Sequence, residues 1–200
     1  MQIPTDLIPD YGGRAGDCPP PNPRIGAWWR ELNLVASDLD EFSLSLETTH
    51  HGPWIETPSL FIEIGSTAET WGHKGAAKLL AGIIHRGLGL DGSSGLGGWA
   101  GQGRVVVTLG GGHYAPRGNL LASHEGIWIG HMLATYALPF TKDEFGNVGG
   151  MWENSIRKAL AATALAFPGG ELICSMDKKA FKGWQRSLIH IRRGRRSPRG

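Results

Sequence analysis

The sequence predicts a single α/β domain in which helices flank a central sheet that is mixed or mostly parallel. Short apolar segments rich in β-branched residues alternate along the chain with longer segments of helical period. The chain has 200 residues and 40% hydrophobic content, which suits one domain with a substantial core. Three successive glycines follow the clearest strand segment, Arg104–Leu109, and indicate a sharp turn there.

The two ends of the chain differ in composition from its middle. Residues 1–24 contain six Pro and three Gly, which is typical of a loop-like lead-in. Residues 192–200 contain five Arg and no acidic residue, and the remainder therefore carries a net charge of −3 within a whole-chain charge of +2. We expect one domain over residues 25–191, followed by an Arg-rich tail that either attracts phosphate or is only a solubilising end.

In the first half, the pattern predicts a helix, two strands and a second helix. Residues 25–39 have the helical period, and residues 42–46 and 60–64 are expected to be strands. Ser66 and Glu69 have the spacing of a capping box, which would open the second helix. That helix is expected to turn several apolar side chains toward the core, namely Trp71, Leu79, Leu80, Ile83 and Ile84.

In the second half, a loop with six Gly at residues 91–103 precedes the strand Arg104–Leu109. Residues 127–138 are apolar and fit a helix or a strand equally well. A helix is expected within residues 143–167, then a strand at residues 172–174 and a final helix at residues 178–190. The candidate core residues of the first of these helices are Trp152, Ile156, Leu160 and Leu165.

Histidines lie where two of these predicted strands end. His50 and His51 follow residues 42–46, and His113 follows the three glycines. Ligands of such sheets collect at the carboxyl ends of the strands. We therefore expect His50, His51, His113 and Glu63 to be catalytic, with Glu47 and His131 in support.

Two kinds of chemistry are open to these histidines. His50, His51, His113 and His131, with Glu47 or Glu63, are ligand types that suit zinc with one open position for water. The alternative is a histidine that acts as a general base or a hydrogen-bond donor. Gly110, Gly111 and Gly112 are expected to present backbone N–H groups to an oxyanion or a phosphate, although a tight turn alone would also need glycine.

Several ordered motifs resemble those of the D-aminoacyl-tRNA deacylase family of archaeal and plant type. They are Glu-Thr-Thr-His-His-Gly-Pro, Thr-Pro-Ser-Leu-Phe-Ile-Glu-Ile-Gly-Ser-Thr, Gly-Gly-Gly-His-Tyr-Ala-Pro and, near the end, Ala-Phe-Pro-Gly-Gly-Glu with Asp-Lys-Lys-Ala-Phe-Lys-Gly-Trp-Gln. They run in order from about Glu47 to Ile189, so the chain resembles the C-terminal majority of the family. The resemblance implies a phosphorylase/peptidyl-tRNA-hydrolase-like fold, a zinc-associated site and hydrolysis of the ester between a D-amino acid and tRNA.

The resemblance also implies a tRNA-binding surface. The expected phosphate contacts are Lys178, Lys179, Lys182, Arg192, Arg193, Arg195 and Arg196. The chain shows neither a signal sequence nor an apolar run of membrane length, and Cys18 and Cys174 lack metal-site spacing. We expect a cytoplasmic monomer that acts on D-aminoacyl-tRNA. The alternatives are a catalytically incomplete RNA-binding fragment and a metal-dependent hydrolase of small esters or amides.

Overall fold

The computed structural model describes residues 17–37, 39–48, 54–65 and 67–192. Its centre is a parallel sheet of three strands in the order β2-β1-β5. A separate two-stranded antiparallel ribbon joins β3 to β4. In chain order the strands are β1 (Arg104–Leu109), β2 (Ile127–Leu133), β3 (Thr141–Lys142), β4 (Val148–Gly149) and β5 (Glu171–Met176).

Strand β1 is central because its residues can be buried on both faces. Val105 and Val107 are completely buried, and every residue after Arg104 in the strand is buried. Such near-continuous β-branched runs are typical of parallel strands covered by helices on both sides. Val106 pairs with Ile129 of β2 and with Ile173 of β5. The predicted α/β class and the predicted strands at residues 104–109 and 172–174 are confirmed.

The helices cover both faces of this sheet. In chain order the helices are α1 (Ile25–Val35), α2 (Ala68–Trp71), α3 (Lys74–Gly87), α4 (Pro116–Ala122), α5 (Trp152–Ala166) and α6 (Gly183–Arg192), with 3-10 turns at Thr135–Ala137 and Lys178–Ala180. Helix α5 packs on β1, β2 and β5 and belongs to one cluster of core residues. Helices α1 and α4 contact β2 and belong to a second cluster.

The ambiguous segment at residues 127–138 is a strand followed by a 3-10 turn. Gly130 explains how α5 approaches this strand, since a Cβ placed there would lie 2.6 Å from Cγ2 of Thr163. Close approach of a helix to a sheet therefore requires glycine at this position. The β1–β2 register also shifts between Val106 and Thr108.

Two predicted strands are absent. Residues 42–46 and 60–64 have no strand ladder, and the nearest pairing is an isolated bridge between Pro21 and Ser59. The N–H of Leu46 instead donates to Oδ1 of Asn119 at 2.8 Å. The alternation of apolar and polar residues at 42–46 reflects a half-buried extended segment. Its backbone is hydrogen-bonded to α4 and not to a neighbouring strand. Periodicity reports burial but cannot report whether a neighbouring strand exists.

The second predicted helix begins differently and is divided in two. The N-cap is Thr67, whose capping box uses Thr70 rather than the expected Ser66 and Glu69. A second start follows at His73, whose Nδ1 accepts the N–H of Ala76 at 3.0 Å. Because of this division Trp71 is 64% exposed, contrary to expectation, whereas Ile83 is completely buried.

Two further expectations about helices are wrong. Leu165 is 83% exposed and does not belong to the core, whereas Trp152 does. The final helix is interrupted, so that a 3-10 turn at Lys178–Ala180 precedes α6. Within the described residues, no helix has the length and apolar composition that a bilayer crossing needs.

Candidate functional site

The loop that carries His113 follows β1 directly. Gly110 and Gly111 have φ values of +92° and +86°, which glycine adopts without strain. The N–H of Gly110 donates to the carbonyl oxygen of Leu133 at 2.8 Å. The carbonyl oxygen of Gly111 accepts hydrogen bonds from N–H and Oγ1 of Thr135, at 3.0 and 3.1 Å. These bonds fix the loop after β1 to the end of β2.

The imidazole of His113 lies between an acidic and a phenolic side chain. Its Nε2 is 3.3 Å from Oε2 of Glu47, and its Nδ1 is 3.4 Å from Oη of Tyr136. About a third of each side chain in the His113–Glu47 pair is exposed. A carboxylate on one ring nitrogen orients the ring, as in catalytic dyads.

Thr48 contacts both His113 and Tyr136. It is 2% exposed, and its N–H donates to the carbonyl oxygen of His113 at 2.9 Å. Its Oγ1 is 3.0 Å from Oη of Tyr136 and 3.4 Å from the same carbonyl oxygen. Three chain segments therefore meet at His113: the loop after β1, the turn after β2 and the segment that ends at Thr48.

His113 and Glu47 were predicted from the sequence and Thr48 and Tyr136 were not, and the structure brings the four side chains together. Tyr136 lies three residues after the end of β2. If β2 had been predicted as a strand, the residues that follow its carboxyl end would have been candidates for the site. Thr48 lies in the same motif as the predicted histidine pair, two residues before His50, and this position was the available indication. His50 and His51 lie outside the described residues.

The structure places His131 in the core on β2, where it is 4% exposed. Its Nε2 lies 3.3 Å from Sγ of Cys18. Burial lowers the pKa of His131 to about 3 and raises the pKa of the Cys18 thiol to about 12. The two groups are therefore neutral at physiological pH, and their contact anchors the chain around Cys18 to the sheet.

The carboxylate of Glu63 is exposed, although a position within a buried strand was expected. Glu63 still lines the same cleft as His113, Glu47 and Thr48. This cleft has a volume of about 1190 Å³, and much of its wall is apolar, including Trp29. A ligand at His113 would therefore have room for a sizeable apolar group beside it.

The fit of these residues to a metal ion depends on the histidine pair. The described residues contain no group of three or more His, Cys, Asp or Glu side chains that could hold a metal ion. His113 and Glu47 are two neighbouring ligand types, one short of the usual three protein ligands of a catalytic zinc site. The described residues therefore provide an incomplete set of ligands for zinc.

Basic residues lie beside the His113 loop. A Cβ on Gly110 would lie 2.6 Å from the ring of Phe181 and 2.9 Å from Cβ of Ala180, so the chain at Lys178–Ala180 packs on this loop. The side chains of Lys178, Lys179 and Lys182 are exposed. Arg192 ends α6, but its side chain and the residues Arg193, Arg195 and Arg196 lie outside the described part.

A family model described as D-aminoacyl-tRNA deacylase matches residues 5–193. A D-aminoacyl-tRNA deacylase of Arabidopsis thaliana is 43% identical over 90% of this chain and 61% of its own length. The corresponding protein of Pyrococcus abyssi is 37% identical over 55% of this chain and 39% of its own length. The chain therefore spans less than two thirds of these relatives.

The structure is also similar to a solved one. The crystal structure of AF0625, a conserved protein of unknown function, superposes with a TM-score of 0.70 at 25% sequence identity. The match covers 94% of this chain and 58% of that chain. The α/β arrangement described above is therefore shared with a solved structure.

Proposed function

Because the chain belongs to the D-aminoacyl-tRNA deacylase family, we propose that it hydrolyses the ester between a D-amino acid and tRNA. The observation that carries this proposal is the position of His113 between Glu47 and Tyr136 at the carboxyl end of the sheet. A base oriented by a carboxylate, in an open cleft, is what the hydrolysis of an ester by water requires.

The arrangement assigns a direction to the proton transfer. Glu47 faces Nε2 of His113, so the nitrogen that takes a proton from the attacking water is Nδ1. The water oxygen bonds to the ester carbonyl carbon, and a tetrahedral oxyanion forms. When the bond from this carbon to the ribose oxygen breaks, Nδ1 returns the proton to that oxygen. Catalytic hydrogen bonds are often long before the substrate binds, which suits the two distances at His113.

The backbone of the glycine loop is our candidate for binding the oxyanion. The N–H of Gly110 already donates to Leu133, which leaves Gly111 and Gly112 as the members of the predicted nest that we assign to this role. Donors held in a fixed loop stabilise a developing negative charge without having to reorganise.

Zinc is part of the proposal through His50 and His51. His50 and His51 follow Thr48 and Thr49 in the sequence, and with His113 they would supply the three ligands of a catalytic site. In that case a ring nitrogen of His113 would bind the metal, and the metal would take the place of His113 as the group that activates the water. Zinc would polarise the ester carbonyl or acidify a water. We leave His131 out of this ligand set because its Nε2 faces Cys18 in the core.

The proposed substrate contacts extend to tRNA phosphates. Lys178, Lys179 and Lys182 are exposed beside the His113 loop, where the end of a tRNA would have to lie. We assign the same role to Arg192, Arg193, Arg195 and Arg196. We also propose a cytoplasmic monomer; neither Cys18 nor Cys174 forms a disulfide bond, which suits a reducing compartment. Cell fractionation and gel filtration test these two points.

The test is hydrolysis by the 200-residue chain of tRNA charged with a D- or an L-amino acid. We expect loss of the D-ester well above the spontaneous rate and little loss of the L-ester. His113→Gln should lower the rate about 100-fold or more, since a general base contributes at least that factor. His124→Gln, at an exposed histidine in the short loop between α4 and β2, is the matched control.

A second candidate is a tRNA-binding chain without catalytic activity, favoured by the exposed Lys178, Lys179 and Lys182 beside the His113 loop. Retention of D-aminoacyl-tRNA on a filter with no acceleration of ester loss would support it and contradict the hydrolase. Turnover of small esters without tRNA would instead favour a general hydrolase.

A further inference from the structure

Phe145 is an aromatic side chain held in solvent at the tip of the β3–β4 hairpin. It is 82% exposed, although its ring has no polar atom that water could hydrogen-bond. Two other apolar residues of this region, Val148 and Met151, are 39% and 48% exposed. The hairpin contributes no residue to the cleft around His113. Exposed apolar residues that lie together on a surface indicate a site that binds a partner.

The turn that carries Phe145 is fixed by the side chain of Asp143. Oδ1 of Asp143 accepts the N–H of Phe145 at 3.0 Å and the N–H of Asn147 at 2.7 Å, and Oδ2 accepts from Nδ2 of Asn147 at 2.8 Å. The N–H of Gly146, whose φ is +85°, donates to the carbonyl oxygen of Asp143 at 3.1 Å. A turn that is ordered in advance presents its aromatic ring to a partner at a low cost in conformational entropy.

Aromatic contacts connect the base of the hairpin to the loop of His113. Phe140, which precedes β3, stacks on Trp152 with ring centres 4.8 Å apart, and its ring centre lies 6.1 Å from that of Phe181. The ring of Phe181 packs against Gly110, where a Cβ would lie 2.6 Å from it. The hairpin is therefore attached to the same end of the sheet as the candidate site.

Lysines lie beside the base of this hairpin. Nζ of Lys142 is 5.8 Å from the centre of the Trp184 ring in α6. The exposed Lys178, Lys179 and Lys182 lie in the segment between β5 and α6. Among the described residues, none of these four lysines forms a salt bridge. Their charges are therefore available to a phosphate backbone.

The hairpin tip itself carries negative charge. Glu144, next to Phe145, is exposed, and the carboxylate of Asp143 lies within the turn. A ring flanked by carboxylates suits the uncharged face of a nucleobase better than a phosphate or an anionic lipid surface. Bases in a duplex already stack on their neighbours, whereas unpaired bases stack on aromatic side chains.

We propose that Phe145 stacks on an unpaired nucleobase at the 3′ end of tRNA, while Lys142 and the lysines between β5 and α6 contact the adjacent phosphates. The inference rests on the proposed function for the identity of the RNA. An ester held at His113 is attached to the 3′ end, so the neighbouring nucleotides pass close to this end of the sheet. Binding can nevertheless be measured without any turnover.

The experiment measures the affinity of the full chain for uncharged tRNA and for the same tRNA shortened by its unpaired 3′ nucleotides. Phe145→Ala should bind the complete tRNA about 5- to 150-fold more weakly, which is the effect of losing one stacked base. The variant and the unmodified chain should bind the shortened tRNA equally. The slope of log K against log salt should stay the same, because no phosphate contact is lost.

Two further substitutions separate stacking from simple apolar contact. Phe145→Trp keeps an aromatic face and should retain the affinity, whereas Phe145→Leu is apolar without such a face and should bind as weakly as Phe145→Ala. Leu165→Ala is the control, since Leu165 is 83% exposed on α5 and its truncation should leave the affinity unchanged. With D-aminoacyl-tRNA, KM of Phe145→Ala should rise while kcat stays the same.

Unchanged affinity of Phe145→Ala for the complete tRNA would overturn the proposal, as would an equal loss of affinity for the shortened tRNA. Loss of binding to vesicles of phosphatidylserine and phosphatidylcholine, with tRNA binding unchanged, would assign Phe145 to a membrane instead. If Phe145→Ala binds tRNA weakly as expected and the unmodified chain hydrolyses no D-aminoacyl-tRNA, the proposed function fails and the stacking contact stands.

Discussion

Thr135 holds the carbonyl oxygen of Gly111 with two hydrogen bonds, from its N–H at 3.0 Å and from its Oγ1 at 3.1 Å. The loop after β1 and the turn after β2 are thereby joined at the edge of the sheet. This attachment places His113 and Tyr136 within reach of each other, and it makes the glycine loop the most informative place for substitutions.

Alanine substitutions along the loop should separate steric constraint from backbone strain. Gly110→Ala meets the Phe181 ring at 2.6 Å and has φ of +92°, so it should destabilise the fold by about 2–4 kcal/mol. Gly111→Ala has φ of +86° but its nearest neighbour is Cδ of Pro116 at 3.5 Å, so strain alone should cost about 1–2 kcal/mol.

Denaturant unfolding measures these free energies, and Gly112→Ala is the matched control. A Cβ at Gly112 would meet no atom within 4 Å. Equal costs at all three positions would contradict the assigned packing. If Gly111→Ala greatly lowers the rate of deacylation but changes the free energy of unfolding little, the loop supplies backbone donors to the reaction. If the rate falls only as far as the loss of folded protein explains, the loop is a structural turn.

Glu47→Gln should lower kcat/KM for D-aminoacyl-tRNA about 10–100-fold and leave the fold intact. The amide keeps the size of the carboxylate but cannot stabilise the protonated His113 ring, whose Nε2 lies 3.3 Å away. Single-turnover rates of ester loss measure the effect. Glu125→Gln, at an exposed carboxylate before β2, is the control and should behave as the unmodified chain does. Equal rates for both variants would remove Glu47 from the mechanism.

The buried His131 predicts a specific loss of stability in acid. Its pKa is about 3 in the folded chain against an ordinary value of 6.5, so the unfolded chain binds a proton more readily. The contribution of the neutral His131 ring to the free energy of unfolding is fully present above pH 6.5, and it is lost as the pH falls from 6.5 toward 3. At pH 5 the loss should be about 2 kcal/mol in the free energy of unfolding.

Unfolding free energies at pH 7 and pH 5 measure this effect. In His131→Asn the difference between the two pH values should shrink by about that amount, although the variant will be less stable at pH 7. His124→Gln is the control, since His124 is exposed and its loss should leave the pH dependence unchanged. An identical pH dependence in His131→Asn and the unmodified chain would show that another group is responsible.

Lys178 and Lys179 should contribute to tRNA binding through charge alone. Replacing both by Gln should weaken binding and reduce the slope of log K against log salt by up to about 1.4–1.8, if each lysine neutralises one phosphate. The rate at saturating substrate should stay the same. Replacing Lys74 and Lys78, two exposed lysines of α3, removes the same charge elsewhere and is the control.

The same titration tests the Arg-rich tail. Deleting residues 192–200 should flatten the salt dependence further if the tail contacts phosphate. Identical slopes with and without the tail would make it a solubilising end only, and identical slopes for the two lysine pairs would exclude Lys178 and Lys179 from the interface.

The sequence by itself determined those elements whose burial can be read from their own residue types. Val105, Val106 and Val107 can be buried on both faces, so a central strand followed from the residues themselves. The three glycines after this strand likewise predicted the sharp turn found at Gly110 and Gly111. His113 and Glu47 were predicted from residue types that suit acid–base chemistry; the strand before His113 is present, whereas the strand expected before Glu47 is absent.

Only the tertiary structure decided which groups meet. Residues 42–46 alternate like a strand, yet the N–H of Leu46 is taken by Asn119 and that of Thr48 by the carbonyl oxygen of His113. His131 was predicted from its residue type, and only the fold shows that its Nε2 lies 3.3 Å from Sγ of Cys18 and that burial lowers its pKa to about 3. Tyr136 lies at the site because Thr135, in the same turn, is hydrogen-bonded to the carbonyl oxygen of Gly111. Periodicity and residue type report local burial and chemistry, whereas these contacts depend on the packing of segments that are distant along the chain.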